Sequence, residues 1–155
     1  MVAGLDVVVA GGLYRVFKPV SSGLSMLAAW LRVAYAAIFG VAIAQLAGVL
    51  HFLPGAKGQA VQILMDVHAY QDIWNVGLVL FAFHLILLGV LAWKASYAPA
   101  ILGALLVVAG LGYAVDAFGS VLFVGYRANV AAFTFVGELV LIVWLLVRGR
   151  RLAVS

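Results

Sequence analysis

The chain contains no cysteine. That excludes disulfides, thiol nucleophiles and thiolate metal sites. Charge is nearly as scarce: charged residues are 9% of the 155 positions, too few to clothe a water-facing surface, which uses ~25%. Only three prolines occur, Pro19, Pro54 and Pro99, and all stand between apolar runs. There are few long loops on which to mount chemistry and no nucleophile–base motif, so no enzyme activity is expected. No basic segment precedes the first apolar run and no clear cleavage site follows it, so the sequence does not open as a cleavable signal peptide does.

Hydrophobicity fills the space these absences leave. The sequence is 68% hydrophobic with a mean hydropathy of +1.25. The expectation is an all-α integral membrane bundle forming one domain over residues 1–155. The net charge of +4 and isoelectric point near 9.7 raise the question of nucleic acid. The basic residues form no stripe or arm, however, and nucleic acid is not an expected partner. They punctuate the apolar runs, as topology signals and anionic-lipid contacts do, so the expected partner is the lipid bilayer.

Asn75–Lys94 is the clearest span. Its 20 residues make a helix of about 30 Å, the thickness of a bilayer's hydrocarbon core. Trp74 flanks one end, and Trp93 and Lys94 the other, as interfacial anchors. Four further spans are expected, about five in all. The first, residues 1–17, is short. The second lies in a segment from Ser22 to about Leu53, too long for one perpendicular span. Trp30 and Arg32 mark an interface to which Arg32 snorkels, Ser22–Ala29 is an interfacial lead-in, and Leu31–Leu53 is the span proper. A fourth, glycine-rich span follows Pro99 and carries Gly103, Gly110, Gly112 and Gly119. The fifth runs from Asn129, as helix cap, to Val147. Residues 59–72 alternate differently. Ala60, Val61, Leu64 and Val67 recur at helical spacing among Gln62, Asp66 and Gln71, which predicts an amphipathic helix lying at the interface or extending the next span.

Basic residues set the orientation. Arg15, Lys18, Arg32, Lys94, Arg148, Arg150 and Arg151 fall on one side, and Lys57 and Arg127 on the other. The excess side is expected to be cytoplasmic, which puts the C-terminus inside.

Intramembrane ionisable groups are costly and are therefore the first functional candidates. His84 lies ten residues before Lys94, and Glu138 ten before Arg148, each about 15 Å from that end. If their helices are neighbours, the two can pair as interhelical glue or as a proton or ligand site. Asp116 sits near the opposite interface, where Arg127 or His68 can pair with it. Asp66, His68 and Asp72 form an outer polar cluster that Asp6 can join. His68 and Asp72 share a helix face, but two ligands do not make a metal site, and no metal or other cofactor is expected. Haem needs histidines at matching depth, and His51 and His68 do not match His84. Most aromatic residues, Trp144 among them, fall at span ends as interfacial belts do.

The runs LYRVFKPVSSGLSMLAAWLRVAYAAIFG, FHLILLGVLAWKASYAPAILG, GLGYAVDAF and GE followed by WLLVRG resemble the bacterial membrane family named Domain of Unknown Function 4386. The resemblance covers nearly the whole chain. It implies about six spans, of which the first and part of the second have no counterpart here, and a bacterial inner-membrane protein. Its pattern falls on His84, Pro99, Gly103, Gly112, Tyr113, Glu138, Trp144 and Gly149. It implies no activity. The residues themselves suggest an accessory or scaffold subunit, packing through glycine-rich faces in a homo-oligomer or a larger complex. A small-molecule or proton-binding protein built on His84 and Glu138 is the first alternative, and a quinone- or haem-binding redox subunit the second.

Overall fold

A computed structural model describes residues 2–52, 60–123, 125–126 and 128–152. Six helices follow in order: α1 (Val2–Phe17), α2 (Ser22–Phe52), α3 (Ala60–Lys94), α4 (Ala100–Leu122), α5 (Ala131–Thr134) and α6 (Val136–Leu152). The described residues contain no strand. Four stretches are long and apolar enough to cross a membrane: Ser22–Leu50, Ala60–Lys94, Ala100–Leu122 and Ala131–Arg148. The first expected span, α1, has 16 residues and is short, about 24 Å.

Two of the breaks fall where the sequence places them, and the third, at Pro54, lies outside the described residues. Lys18 to Ser21 turn the chain, and the Ser21 hydroxyl oxygen accepts from the Leu24 N–H at 3.5 Å to cap α2. Pro99, in an extended conformation, stands as the N-cap of α4. Residues 60–72 take the second of their two expected forms. They extend α3 without a break, because nothing between Ala60 and Lys94 interrupts the helix.

The fifth span differs from the single helix expected. It turns at Phe135, between α5 and α6. Thr134 supplies a reason: its hydroxyl reaches back to the Val130 and Ala131 carbonyls at 3.3 and 3.4 Å. Such back-bonding bends helices.

The core sits between α3 and α4. Leu85, Leu88 and Leu91 of α3 meet Leu102 and Leu106 of α4, all fully buried. Glycine sets the distance. Cβ atoms added at Gly89 and Gly103 would lie 2.7 Å from each other's backbone carbonyl oxygens. Gly137 holds α6 as close to the Leu105 backbone of α4. Leu13 and Phe17 of α1, and Leu141 and Trp144 of α6, complete the same cluster. The outer faces stay apolar: Leu5, Val8, Trp30, Trp93, Ile101 and Leu146 are all more than half exposed, which suits hydrocarbon as solvent.

Candidate functional site

Four ionisable side chains lie at one depth. Arg32 is ten residues into α2, His84 ten before Lys94, Glu138 ten before Arg148, and Asp6 eleven before Phe17. Each is about 15 Å from the bundle end that carries Arg15, Lys18, Lys94 and Arg148.

Arg32 organises three of them. It was expected to snorkel to an interface. Because α2 is one continuous helix from Ser22, Arg32 instead reaches mid-depth and turns inward. Its Nε and Nη2 donate to Asp6 Oδ1 at 3.1 and 2.6 Å. Its Nη1 lies 3.3 Å from His84 Nε2. The guanidinium stands 5.6 Å over the Phe81 ring, a cation–π arrangement. Asp6 therefore belongs to this network and not to the outer polar cluster.

His84 is completely buried. Its Nδ1 lies 2.8 Å from the Ala28 carbonyl oxygen. A carbonyl only accepts and a guanidinium only donates, so Nδ1 carries the hydrogen and Nε2 accepts. Both ring nitrogens are engaged. The network ties α1, α2 and α3 together with each partner matched.

Glu138 does not pair with His84. The expectation required α3 and α6 to be neighbours, whereas α6 packs chiefly on α4. The Glu138 carboxyl lies instead against the Tyr113 hydroxyl of α4, with the Arg32 charge acting on it through space. Its Oε1 is buried and has no hydrogen-bond partner among the described residues. Phe81 packs against both the His84 ring and the Tyr113 ring, with centroids at 5.9 and 5.3 Å.

Asp116 is placed near the other end and takes a role its spacing did not reveal. Its Oδ1 accepts from the Tyr126 hydroxyl at 2.7 Å and the Val130 N–H at 3.0 Å. Its Oδ2 accepts from the Ala131 N–H at 2.7 Å. It thus caps α5 from a different helix, the task expected of Asn129. Of its expected partners, His68 makes no such contact, and Arg127 lies outside the described residues, as does Lys57. The bond to Asp116 holds the Tyr126 proton above the usual phenol range. Asp116→Ala should cost about 2 kcal/mol by stranding these donors. Asp116→Asn, which keeps an acceptor oxygen, should cost less, and thermal unfolding in detergent compares the two.

A cavity of about 490 Å³ lies between α3, α4 and α5, lined by Asn75, Tyr113, Asp116, Ser120, Tyr126 and Asn129 among others. Tyr113 joins this cavity to Glu138. A second, apolar groove of about 680 Å³ runs between α1 and α2.

The outer cluster stays open. Asp66 accepts from Gln62 at 2.9 Å on an exposed face, and His68 and Asp72 are exposed nearby on the same helix. Among the described residues no three His, Cys, Asp or Glu side chains are placed to hold a metal.

Sequence reasoning missed Arg32 and Tyr113 as members of the polar layer. Counting inward from Ser22 would have put Arg32 level with His84. Nothing in the spacing points to Tyr113 beside Glu138.

A relative from Archaeoglobus fulgidus, an uncharacterised protein, is 36% identical over 149 residues, covering 96% of this chain and 80% of its own length. It is archaeal, so likeness to it does not support the expected bacterial source. No solved structure matches. The family model described as Domain of unknown function (DUF4386) matches residues 1–149, and the chain belongs to that family of membrane-like helical proteins.

Proposed function

We propose that this is a non-enzymatic membrane protein that binds a small hydrogen-bond-donating or cationic solute in the cavity between α3, α4 and α5. The observation that carries this reading is the buried, unpartnered Oε1 of Glu138 behind Tyr113. A buried acceptor left unsatisfied costs ~1–3 kcal/mol, which a donor from the cavity would recover. Asp116 lines the cavity and Glu138 lies behind its Tyr113 wall, and no described basic residue lines it. His84 does not take part, because both of its nitrogens are committed. The same commitment removes it as a haem ligand.

The test is a thermal-shift titration of the detergent-purified protein with methylammonium, ethylammonium and acetamide. At least one should stabilise the wild type. Glu138→Gln should bind that probe about tenfold more weakly, the equivalent of one charge-assisted hydrogen bond, with helical content unchanged. Equal binding by wild type and Glu138→Gln, or stabilisation by none of the probes, would overturn the reading.

A second reading is an accessory subunit of a homo-oligomer or larger complex. The glycines of α4 cannot supply its surface, because added Cβ atoms at Gly103, Gly110, Gly112 and Gly119 meet this chain's own atoms. The apolar α1–α2 groove favours it, its small residues, Ala10, Gly11, Ala29, Ala34 and Ala37, being flanked by larger ones such as Tyr14, Met26 and Trp30. For location we propose the cytoplasmic membrane with the C-terminus inside. Arg15, Lys18, Lys94, Arg148, Arg150 and Arg151 still outnumber Lys57 and Arg127 after Arg32 is withdrawn from the count.

A further inference from the structure

Trp144 departs from the interfacial belt. It is 9% exposed and its ring is stacked between Phe17 of α1 and Tyr97 of the α3–α4 loop, both at 6.5 Å. Tyr97 is fixed in turn, its hydroxyl donating to the Val16 carbonyl at 2.6 Å. The indole N–H of Trp144 has no partner among the described residues. Beside this stack lies a pocket of about 420 Å³, lined by Ser96, Tyr97, Trp144 and Arg148. Ser96 and Arg148 are exposed, and neither side chain has a partner among the described residues. An indole only donates, a guanidinium only donates, and a serine hydroxyl donates readily. The lining therefore offers hydrogen to an acceptor and carries a positive charge, with no carboxylate among its residues. It stands at the basic end of the bundle, with Arg148 in its wall.

We propose that the pocket formed by Ser96, Trp144 and Arg148 binds a phosphate oxyanion, carried by an anionic lipid headgroup or free in solution. Arg148 supplies charge and a fork of donors. Ser96 supplies a hydroxyl. Trp144 supplies the buried N–H that otherwise goes unmatched. The site is remote from the Glu138 cavity and does not depend on its occupant.

Native mass spectrometry of the detergent-purified protein, titrated with phosphatidylglycerol and with phosphatidylcholine, tests this. A parallel titration follows tryptophan fluorescence with inorganic phosphate. Phosphatidylglycerol should be retained in preference to phosphatidylcholine. Arg148→Gln and Trp144→Phe should each weaken that retention about tenfold, the equivalent of one charge-assisted hydrogen bond. Trp144→Phe keeps an aromatic ring in the stack, so helical content and unfolding temperature should hold. A phosphate response that needs Arg148, without lipid preference, would identify the free anion as the occupant. Retention of both lipids alike with no phosphate response, or binding indifferent to both substitutions, would overturn the proposal.

Discussion

Arg32→Met should be the most damaging polar substitution in the bundle, destabilising it by about 3–5 kcal/mol. It leaves the Asp6 carboxylate without a counter-charge and His84 Nε2 without a donor, at a depth where no water replaces them. Arg32→Lys should rescue little. One ammonium cannot direct separate donors to Asp6 and to His84 as the guanidinium fork does. The informative variant is the double replacement Asp6→Leu with Arg32→Met. Removing both charges removes the desolvation problem, so the pair should be more stable than Arg32→Met alone. Unfolding in a detergent series measures the cycle. Losses that simply add would mean that the ion pair is not what docks α1.

The second large effect belongs to the α3–α4 contact. A Cβ at Gly103 would lie 2.7 Å from the Gly89 carbonyl oxygen and 2.8 Å from the Trp93 nitrogen. These are backbone atoms and cannot rotate aside. Gly103→Ala should cost about 1–3 kcal/mol as overpacking, and Gly103→Leu should part the two helices. Gly40→Ala is the control. Nothing lies within 4 Å of that position, so alanine should be neutral or stabilise by up to about 1 kcal/mol through helix propensity. Unfolding temperature separates the three variants. A disulfide engineered across α3 and α4, forming in wild-type background and failing with Gly103→Leu, reports the separation directly.

Apolar run length and punctuation made the helices legible, since a bilayer leaves a chain few ways to satisfy its backbone. Pro19 and Pro99 mark the described breaks. The turn at Phe135 was not legible, because the apolar run continues across it, and the Thr134 hydroxyl bonds back to its own helix beside it. Depth was legible for His84 and Glu138, since Lys94 and Arg148 give each helix a ruler. Pairing was not. Which helices touch follows from where glycines permit close approach, and Gly103 and Gly137 draw α3 and α6 both onto α4. Arg32 was misplaced because an arginine beside a tryptophan looks like an anchor. Only the helix start at Ser22 shows it to be ten residues deep.

The unbroken length of α3 has a mechanical consequence. At 35 residues it is about 52 Å long, against about 34 Å for α4 beside it. Its first three turns, with Asp66 and exposed His68 and Val61, therefore overhang α4 as a stalk alongside the end of α2, where Gly48 faces Asp66. A stiff rod transmits displacement at one end along its whole length, His84 included. Tilting it by about 10° would swing Ala60, some 36 Å from His84, through roughly 6 Å. Anything that grips the stalk has a lever on the Asp6–Arg32–His84 clamp.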